Sequence, residues 1–207
     1  LKEDLYNMEN VFNALPLDEK KKMFYNKRVE FNTGSDKYLL SVLFIFLNKS
    51  CFNGLYRVNS KGEFNVPIGR YNTIKLFEDR NLTEISEALK RVEIVNANYS
   101  VSYDFIDRDT FVYFDPPYRP LSNSSSFKSY NESPFGDKEQ IELKNFIDTI
   151  NEKGAKFLLS NSDSMINNDR FFYDLYSDYK IQQVSATRML NSKSDKRGKI
   201  SELLIGN

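Results

Sequence analysis

The strongest constraint on this chain is a change of periodicity along its length. Residues 1 to 50 carry apolar side chains at roughly helical spacing, broken near Pro16. The run "SDKYLLSVLFIFLNKS" then offers Ser35 or Asp36 as a helix N-cap. The stretch 51–71, "CFNGLYRVNSKGEFNVPIGRY", has another texture: "LYRV" and "EFNV" flank "NSKG", which reads as a β-hairpin turning at Asn59 to Gly62. From residue 82 onward the pattern alternates. It predicts helix 82–91, strand 92–97, strand 111–114, helix 137–154, strand 155–161 and a short helix near 167–177, then strands 179–186 and 199–206. Such alternation implies an α/β fold with a mainly parallel sheet. The last two strands are joined by a loop alone, which makes them antiparallel neighbours. The expected division is a helical and hairpin part, 1–73, and an α/β part, 74–207.

Composition narrows the chemistry. With 207 residues, 40% of them apolar, the chain can bury a core without staples. The longest apolar run, "YLLSVLFIFL", is too short to span a membrane. The start, "LKEDLYNMEN", is not a signal peptide and has no initiator Met, so the chain is expected to be a fragment, a processed product or part of a longer protein. One cysteine, Cys51, rules out an internal disulfide and fits a reducing cytoplasm. There is no histidine. That removes histidine acid–base catalysis, Ser-His-Asp triads and most zinc sites. Basic and acidic residues balance at 29 each, so nothing draws the whole molecule toward nucleic acid. Locally, "ATRMLNSKSDKRGK" (186–199) sets Arg188, Lys193, Lys196, Arg197 and Lys199 against Asp195 alone. Taken by itself, this run reads as a solvated loop.

The chemistry concentrates in "FVYFDPPYRP", residues 111–120. In open α/β sheets ligands bind beyond the carboxyl ends of strands, and Asp115 follows the strand "FVYF". Pro116 and Pro117 fix two φ angles and keep only their carbonyl acceptors. An ionised Asp115 also only accepts, and Tyr118 adds a flat face. The set suits a planar substrate bearing an –NH₂ group. Such an amine is a poor nucleophile because its lone pair is delocalised into the ring. Two acceptors on its N–H groups push the nitrogen toward sp³ geometry and aim the lone pair at an electrophile. A plain Pro-Pro turn with a structural Asp is the competing reading. The following loop, "PLSNSSSFKSYNESPFG", is long for a compact domain, and loops of that length are more often functional than idle.

Taken together, these stretches resemble the Dam-type DNA adenine-N6 methyltransferases, the methylases of GATC sites. "DPPYRPLSNSSSFKSYNE" is similar to the family's catalytic motif and the loop after it. "FNGLYRVNSKGEFNVPIGRY" is similar to its target-recognition hairpin. "FLLSNSDS" (157–164) and "RGKISELLI" (197–205) match as well. The resemblance implies methyl transfer from S-adenosylmethionine to adenine in duplex DNA. It implies that Asp115 and the Pro116 carbonyl accept from adenine N6, with Pro117 in the same tetrad, and that Tyr118 stacks on the base. An enzyme acting on a base must take it out of the stack. A loop at 122–130, with Ser122 and Ser124, would close over it.

On the hairpin, the resemblance implies that Phe52 and Asn53 wedge into the duplex, although Phe52 can equally pack beneath the hairpin. Arg57 matches a base-reading arginine, consistent with bidentate pairing to guanine O6 and N7. Leu55 and Pro67 match apolar base contacts. Asn65 and Arg70 match phosphate-binding or hairpin-stabilising groups, and Asn65 also reads as a turn residue. Asn98 and Tyr99 fall where the family holds the cofactor adenine, with Asn98 in place of the commoner acid and Tyr99 also readable as core.

The chain departs from the family at its front. No G-x-G occurs in it, and the family's Gly-rich loop and ribose-binding acid have no counterpart. The fold implied is an α/β, Rossmann-like S-adenosylmethionine-dependent methyltransferase sheet, incomplete at its N-terminal side, with a helical and β-hairpin DNA-recognition domain. The partners implied are double-stranded DNA and S-adenosylmethionine, with no membrane and no metal, in a monomer of bacterial or phage-type cytoplasm. A cognate restriction endonuclease in the same system is a further companion, with no direct contact implied. Two other readings stand beside this one: a catalytically inactive DNA-binding remnant, and an enzyme for another planar amine in protein or RNA.

Overall fold

The structure, a computed structural model, describes residues 1–119, 135–187 and 199–207. The described chain separates into two compact units, Leu1–Val95 and Asn96–Asn207.

The first unit begins with three helices, α1 (Lys2–Ala14), α2 (Leu17–Thr33) and α3 (Lys37–Ser50). Pro16 stands in extended geometry as the N-cap of α2, which separates α1 from α2. The Asp36 carboxylate caps α3 by accepting from the Tyr38 and Leu39 backbone N–H groups at 2.8 and 3.0 Å. The apolar stripes of the helices converge on Leu5, Phe12, Phe24, Val42, Phe46 and Leu47, all buried. Each fully buried side chain of this kind contributes roughly 1.5–3 kcal/mol. The hairpin lies on the same core. Val58 and Phe64 pair across it in antiparallel fashion, as do Cys51 and Ile68 at its base. Phe64 and Val66 are buried, so the alternation of an extended chain sends Asn65 the other way. After the hairpin, Ile74, Leu76, Phe77 and Leu82 also pack on this core. That packing carries the unit past α4 (Asp79–Leu89) to residue 95, beyond the boundary at 73 expected from the sequence.

The strand expected at 92–97 does not form. Val92, Ile94 and Val95 are exposed there. Their β-branched side chains favour extended backbone, but a strand exists only within a ladder, and no partner pairs with this segment among the described residues.

The second unit holds a four-stranded sheet in the order β1-β2-β4-β3, made of β1 (Phe111–Phe114), β2 (Lys156–Ser162), β3 (Lys180–Thr187) and β4 (Lys199–Gly206). β1 and β2 are parallel, connected through α5 (Asp137–Glu152), and their register sets Phe114 opposite Leu159. β4 is antiparallel to both β2 and β3. The sheet is therefore mixed: β1, β2 and β3 run in one direction, with helices between them in sequence, and β4 runs against them, paired with β3 as the sequence suggested but also inserted beside β2. α5 lays Leu143, Ile147 and Ile150 on Phe114, Phe157, Leu159, Leu203 and Ile205. α5 gives way to Gly154, whose φ of +88° favours glycine. The predicted short helix near 167–177 is realised as a 3₁₀ turn, Ser164–Asn167, and α6 (Phe171–Leu175). The parallel pairing brings the carboxyl ends of β1 and β2 side by side, and Asp115 follows the first of them.

Candidate functional site

The segment Asp115–Arg119 leaves β1 and is held almost entirely by side chains of β2 and α5. Ser160 Oγ donates to Asp115 Oδ1 at 3.1 Å, and the Tyr113 hydroxyl donates to Ser160 Oγ at 3.1 Å. The other Asp115 oxygen carries no hydrogen bond among the described residues, and the residue is exposed. Gln140 Nε2 donates to the Pro117 carbonyl at 3.2 Å. Asn161 Nδ2 donates to Gln140 Oε1 at 3.2 Å, while Asn161 Oδ1 accepts from the backbone N–H groups of Arg119 and Ser162 at 3.2 and 2.9 Å. Gln140 and Asn161 are both fully buried. Buried polar groups with every partner in place rigidify what they touch. The two proline carbonyls thereby become different. Pro117 is engaged by Gln140, whereas no hydrogen bond falls on the Pro116 carbonyl among the described residues. Two acceptors, the Pro116 carbonyl and an Asp115 oxygen, are left within one rigid turn. Tyr118 sits beside them about one-third exposed, and burial pushes its phenol above its ordinary value.

Arg119 closes the turn. Its Nε and Nη2 donate to the two Asp137 carboxylate oxygens at 2.6 and 3.1 Å, and its Nη1 pairs with Asp169. The guanidinium also lies 4.5 Å from the Phe171 ring centroid. The Asp137 carboxylate raises the pKa of Arg119. The Phe171 backbone N–H, and then Arg119, hold Asp169 below its ordinary value. Ser162 Oγ donates to the Arg119 carbonyl at 2.8 Å. Bidentate guanidinium–carboxylate pairing is directional, so it fixes where the backbone departs toward the next segment.

The hairpin of the first unit is stapled by short polar side chains. Asn59 Oδ1 accepts from the Lys61 and Glu63 N–H groups at 2.9 and 3.0 Å, and Gly62 takes φ +78°. Asn32 of α2 grips both polar groups of the Phe64 backbone, at 2.8 and 3.0 Å. At the base, Asn53 and Gly54 take left-handed φ values of 55° and 61°, and the Asn48 amide donates to the Gly54 carbonyl at 2.9 Å. A non-glycine residue held in that region marks a local constraint. The Phe52 ring next to it is 44% exposed, so ordinary packing does not occupy it fully. Arg57, Pro67 and Arg70 are exposed, and Leu55 is half-buried. Arg57 Nε donates to Asn65 Oδ1 at 2.7 Å.

The remaining sequence candidates are placed as follows. Asn98 caps a 3₁₀ turn, Tyr99–Phe105, by accepting from Ser100 N–H at 2.9 Å. The Tyr99 ring meets Phe146 of α5 edge-on at 5.2 Å between centroids, against the core of the second unit. Ser122, Ser124 and most of the basic stretch lie outside the described residues. The chain's own residues thus fit a planar group that bears an –NH₂. They do not by themselves make a complete cofactor cradle: the Asn98 side-chain oxygen and one face-edge of Tyr99 are already engaged within the fold. Among the described residues there is no cluster of metal-ligating side chains, and no helix is long and apolar enough to cross a membrane. Sequence reasoning did not single out Ser160, Asn161, Gln140 or Arg119. The signal for two of them, Ser160 and Asn161, was visible in "SNSDS", an unbroken polar run directly after the apolar "KFLL".

Comparison with known proteins agrees with this chemistry. The family model for D12 class N6 adenine-specific DNA methyltransferases matches residues 1–190. The chain is 44% identical to the Type II methyltransferase M.MjaIII of Methanocaldococcus jannaschii, across 99% of this chain and 71% of that protein. It is 40% identical to the Type II methyltransferase M1.LlaDCHI of Lactococcus lactis subsp. cremoris, across 75% of this chain and 54% of that one. It is 34% identical to the DNA adenine methylase of Escherichia coli K12, across 88% and 63%. The chain thus spans between about half and about 71% of the length of these relatives. On the family match and these identities, the chain belongs to the D12 class N6 adenine-specific DNA methyltransferases.

Proposed function

We propose that the complete protein transfers a methyl group from S-adenosylmethionine to N6 of an adenine flipped out of duplex DNA, within GATC. The observation that carries the reading is the pair of acceptors at the end of β1, an Asp115 oxygen and the Pro116 carbonyl, beside a Pro117 carbonyl that Gln140 engages. Asp115 and Pro116 accept the two N6 hydrogens, which takes the lone pair out of the ring and directs it away from both acceptors. As positive charge develops on the nitrogen, the Asp115 carboxylate stabilises it. Tyr118 stacks on the extruded base. S-adenosylmethionine supplies the electrophilic methyl group, with Asn98 and Tyr99 toward its adenine. On this reading the four-stranded sheet is part of a Rossmann-like methyltransferase sheet.

The first unit then serves as the DNA-recognition part. A two-stranded ribbon fits the major groove. Arg57 reads a guanine there, Leu55 and Pro67 supply apolar contact, Arg70 meets phosphate, and Phe52 with Asn53 fills the gap left by the departing base. The test is incorporation of labelled methyl groups by the complete protein into a GATC-containing duplex, beside a duplex lacking GATC. The reading expects N6-methyladenine in the first alone. Specific binding without incorporation would instead identify a DNA-binding remnant, and equal incorporation into both would remove GATC.

A further inference from the structure

We infer that Asn65 is the positioning residue that aims Arg57 at its base, an inference that rests on the proposed reading of Arg57 as the base-reading arginine. Three hydrogen bonds join these two residues across the hairpin. Asn65 N–H donates to the Arg57 carbonyl at 3.0 Å, Arg57 Nε donates to Asn65 Oδ1 at 2.7 Å, and Arg57 Nη2 approaches the Asn65 carbonyl at 3.4 Å. The guanidinium has five donors in a rigid plane. Nε and one Nη2 hydrogen form one edge of that plane, and both turn toward Asn65. The outer edge, with one hydrogen from each terminal nitrogen, keeps its two parallel donors. That is the edge that matches guanine O6 and N7. Among the described residues no carboxylate pairs with Arg57, and the side chain is exposed, so this edge meets no competing partner from the chain.

The acceptor itself stands on a fixed base. Its neighbours Phe64 and Val66 are buried on the helical core. The Phe64 backbone is gripped on both sides by the Asn32 amide, and Arg28 Nη1 donates to the Val66 carbonyl at 3.3 Å. An arginine side chain loses much rotamer freedom on docking, and a guanidinium already held along one edge loses less. A simple hairpin staple would need only the backbone bonds, and these do not depend on what the Asn65 side chain is. The side-chain bond to Nε is the part that bears on direction.

The test uses the complete protein with Arg57→Ala, Asn65→Leu and Asn65→Asp, and the double variant Arg57→Ala/Asn65→Leu. Equilibrium binding is measured to a GATC duplex and to its single base-pair substitutions, together with the thermal midpoint of each protein. Arg57→Ala is expected to lower discrimination at one base pair by about tenfold or more. Asn65→Leu is expected to lower discrimination at that same base pair, by about threefold or more, and to add nothing in the double variant. Asn65→Asp keeps the acceptor, so it retains the discrimination although its charge weakens binding to every duplex. Uniform weakening by Asn65→Leu across all duplexes with a lowered midpoint makes Asn65 a hairpin staple and overturns the inference. Loss of positional discrimination in Arg57→Ala but not in Asn65→Leu also overturns it, while leaving the role of Arg57 standing. No positional effect of Arg57→Ala removes the underlying reading, and the inference falls with it.

Discussion

The turn at Asp115–Arg119 and the hairpin at 51–69 present functional side chains in opposite ways. The turn is held from behind, by the buried amides of Gln140 and Asn161, the Ser160 and Ser162 hydroxyls, and the Arg119 ion pairs. Its partners come from α5, β2 and the segment after β2, far away in sequence. The hairpin's tip and its exposed arginine are held by their own neighbours, with Asn59 closing the tip and Asn65 bracing Arg57 from across the ribbon, while Asn32 of α2 grips one strand from the helical core. On the proposed function, the difference matches what each would do. A group that reorganises an amine needs acceptors fixed in a rigid, low-dielectric frame, where displacement by an ångström is costly. A group that reads a groove must stand clear of the fold, and only a local brace can reach it there.

The comparison predicts an order of sensitivity. Asn161→Leu has the largest effect, because it strips partners from two backbone N–H groups and from Gln140 Oε1 in a fully buried place. The expected loss is about 2–3 kcal/mol of stability, seen as a lower urea midpoint at unchanged slope. Asn59→Ala removes two N–H partners at the exposed tip, where water replaces them. The expected loss is about 1 kcal/mol by the same measurement. If Asn59→Ala costs more than Asn161→Leu, the contrast between a buried frame and a local brace is broken. The smallest effect is the pH dependence of Asp169. Its carboxyl is held below its ordinary 3.8 by the Phe171 N–H and by Arg119. A depressed carboxyl stabilises the fold fully above that ordinary value, and the contribution is lost as pH falls through the lower, folded value. The stability difference between the wild type and Asp169→Asn should therefore be constant near neutrality and shrink only below pH 3.8.

How far these features could be read from the sequence depends on whether their causes are local. The three helices of the first unit, the cap at Asp36 and the turn at Asn59 to Gly62 follow from spacing and side-chain chemistry within a few residues, and all were legible. The strand at 92–97 was misread for the opposite reason. Its β-branched residues satisfy the local preference for extended backbone, but pairing is a property of a second segment. The mixed sheet was half-read, since the β3–β4 return is local and the insertion of β4 between β2 and β3 is not. At the site, Asp115 through Tyr118 announced themselves as a motif. Gln140 did not, because a polar residue in an amphipathic helix looks solvated until the fold places it under Pro117.

The most direct test of the account is methyl transfer by the complete protein carrying Asp115→Ala, measured beside its affinity for a GATC duplex. Asp115 is exposed, and its fold contact among the described residues is the single bond from Ser160, so the variant should remain folded and bind DNA near the wild-type level. The account predicts that transfer is abolished while binding is retained. Transfer at the wild-type rate would contradict it, and would move the chemistry away from the end of β1.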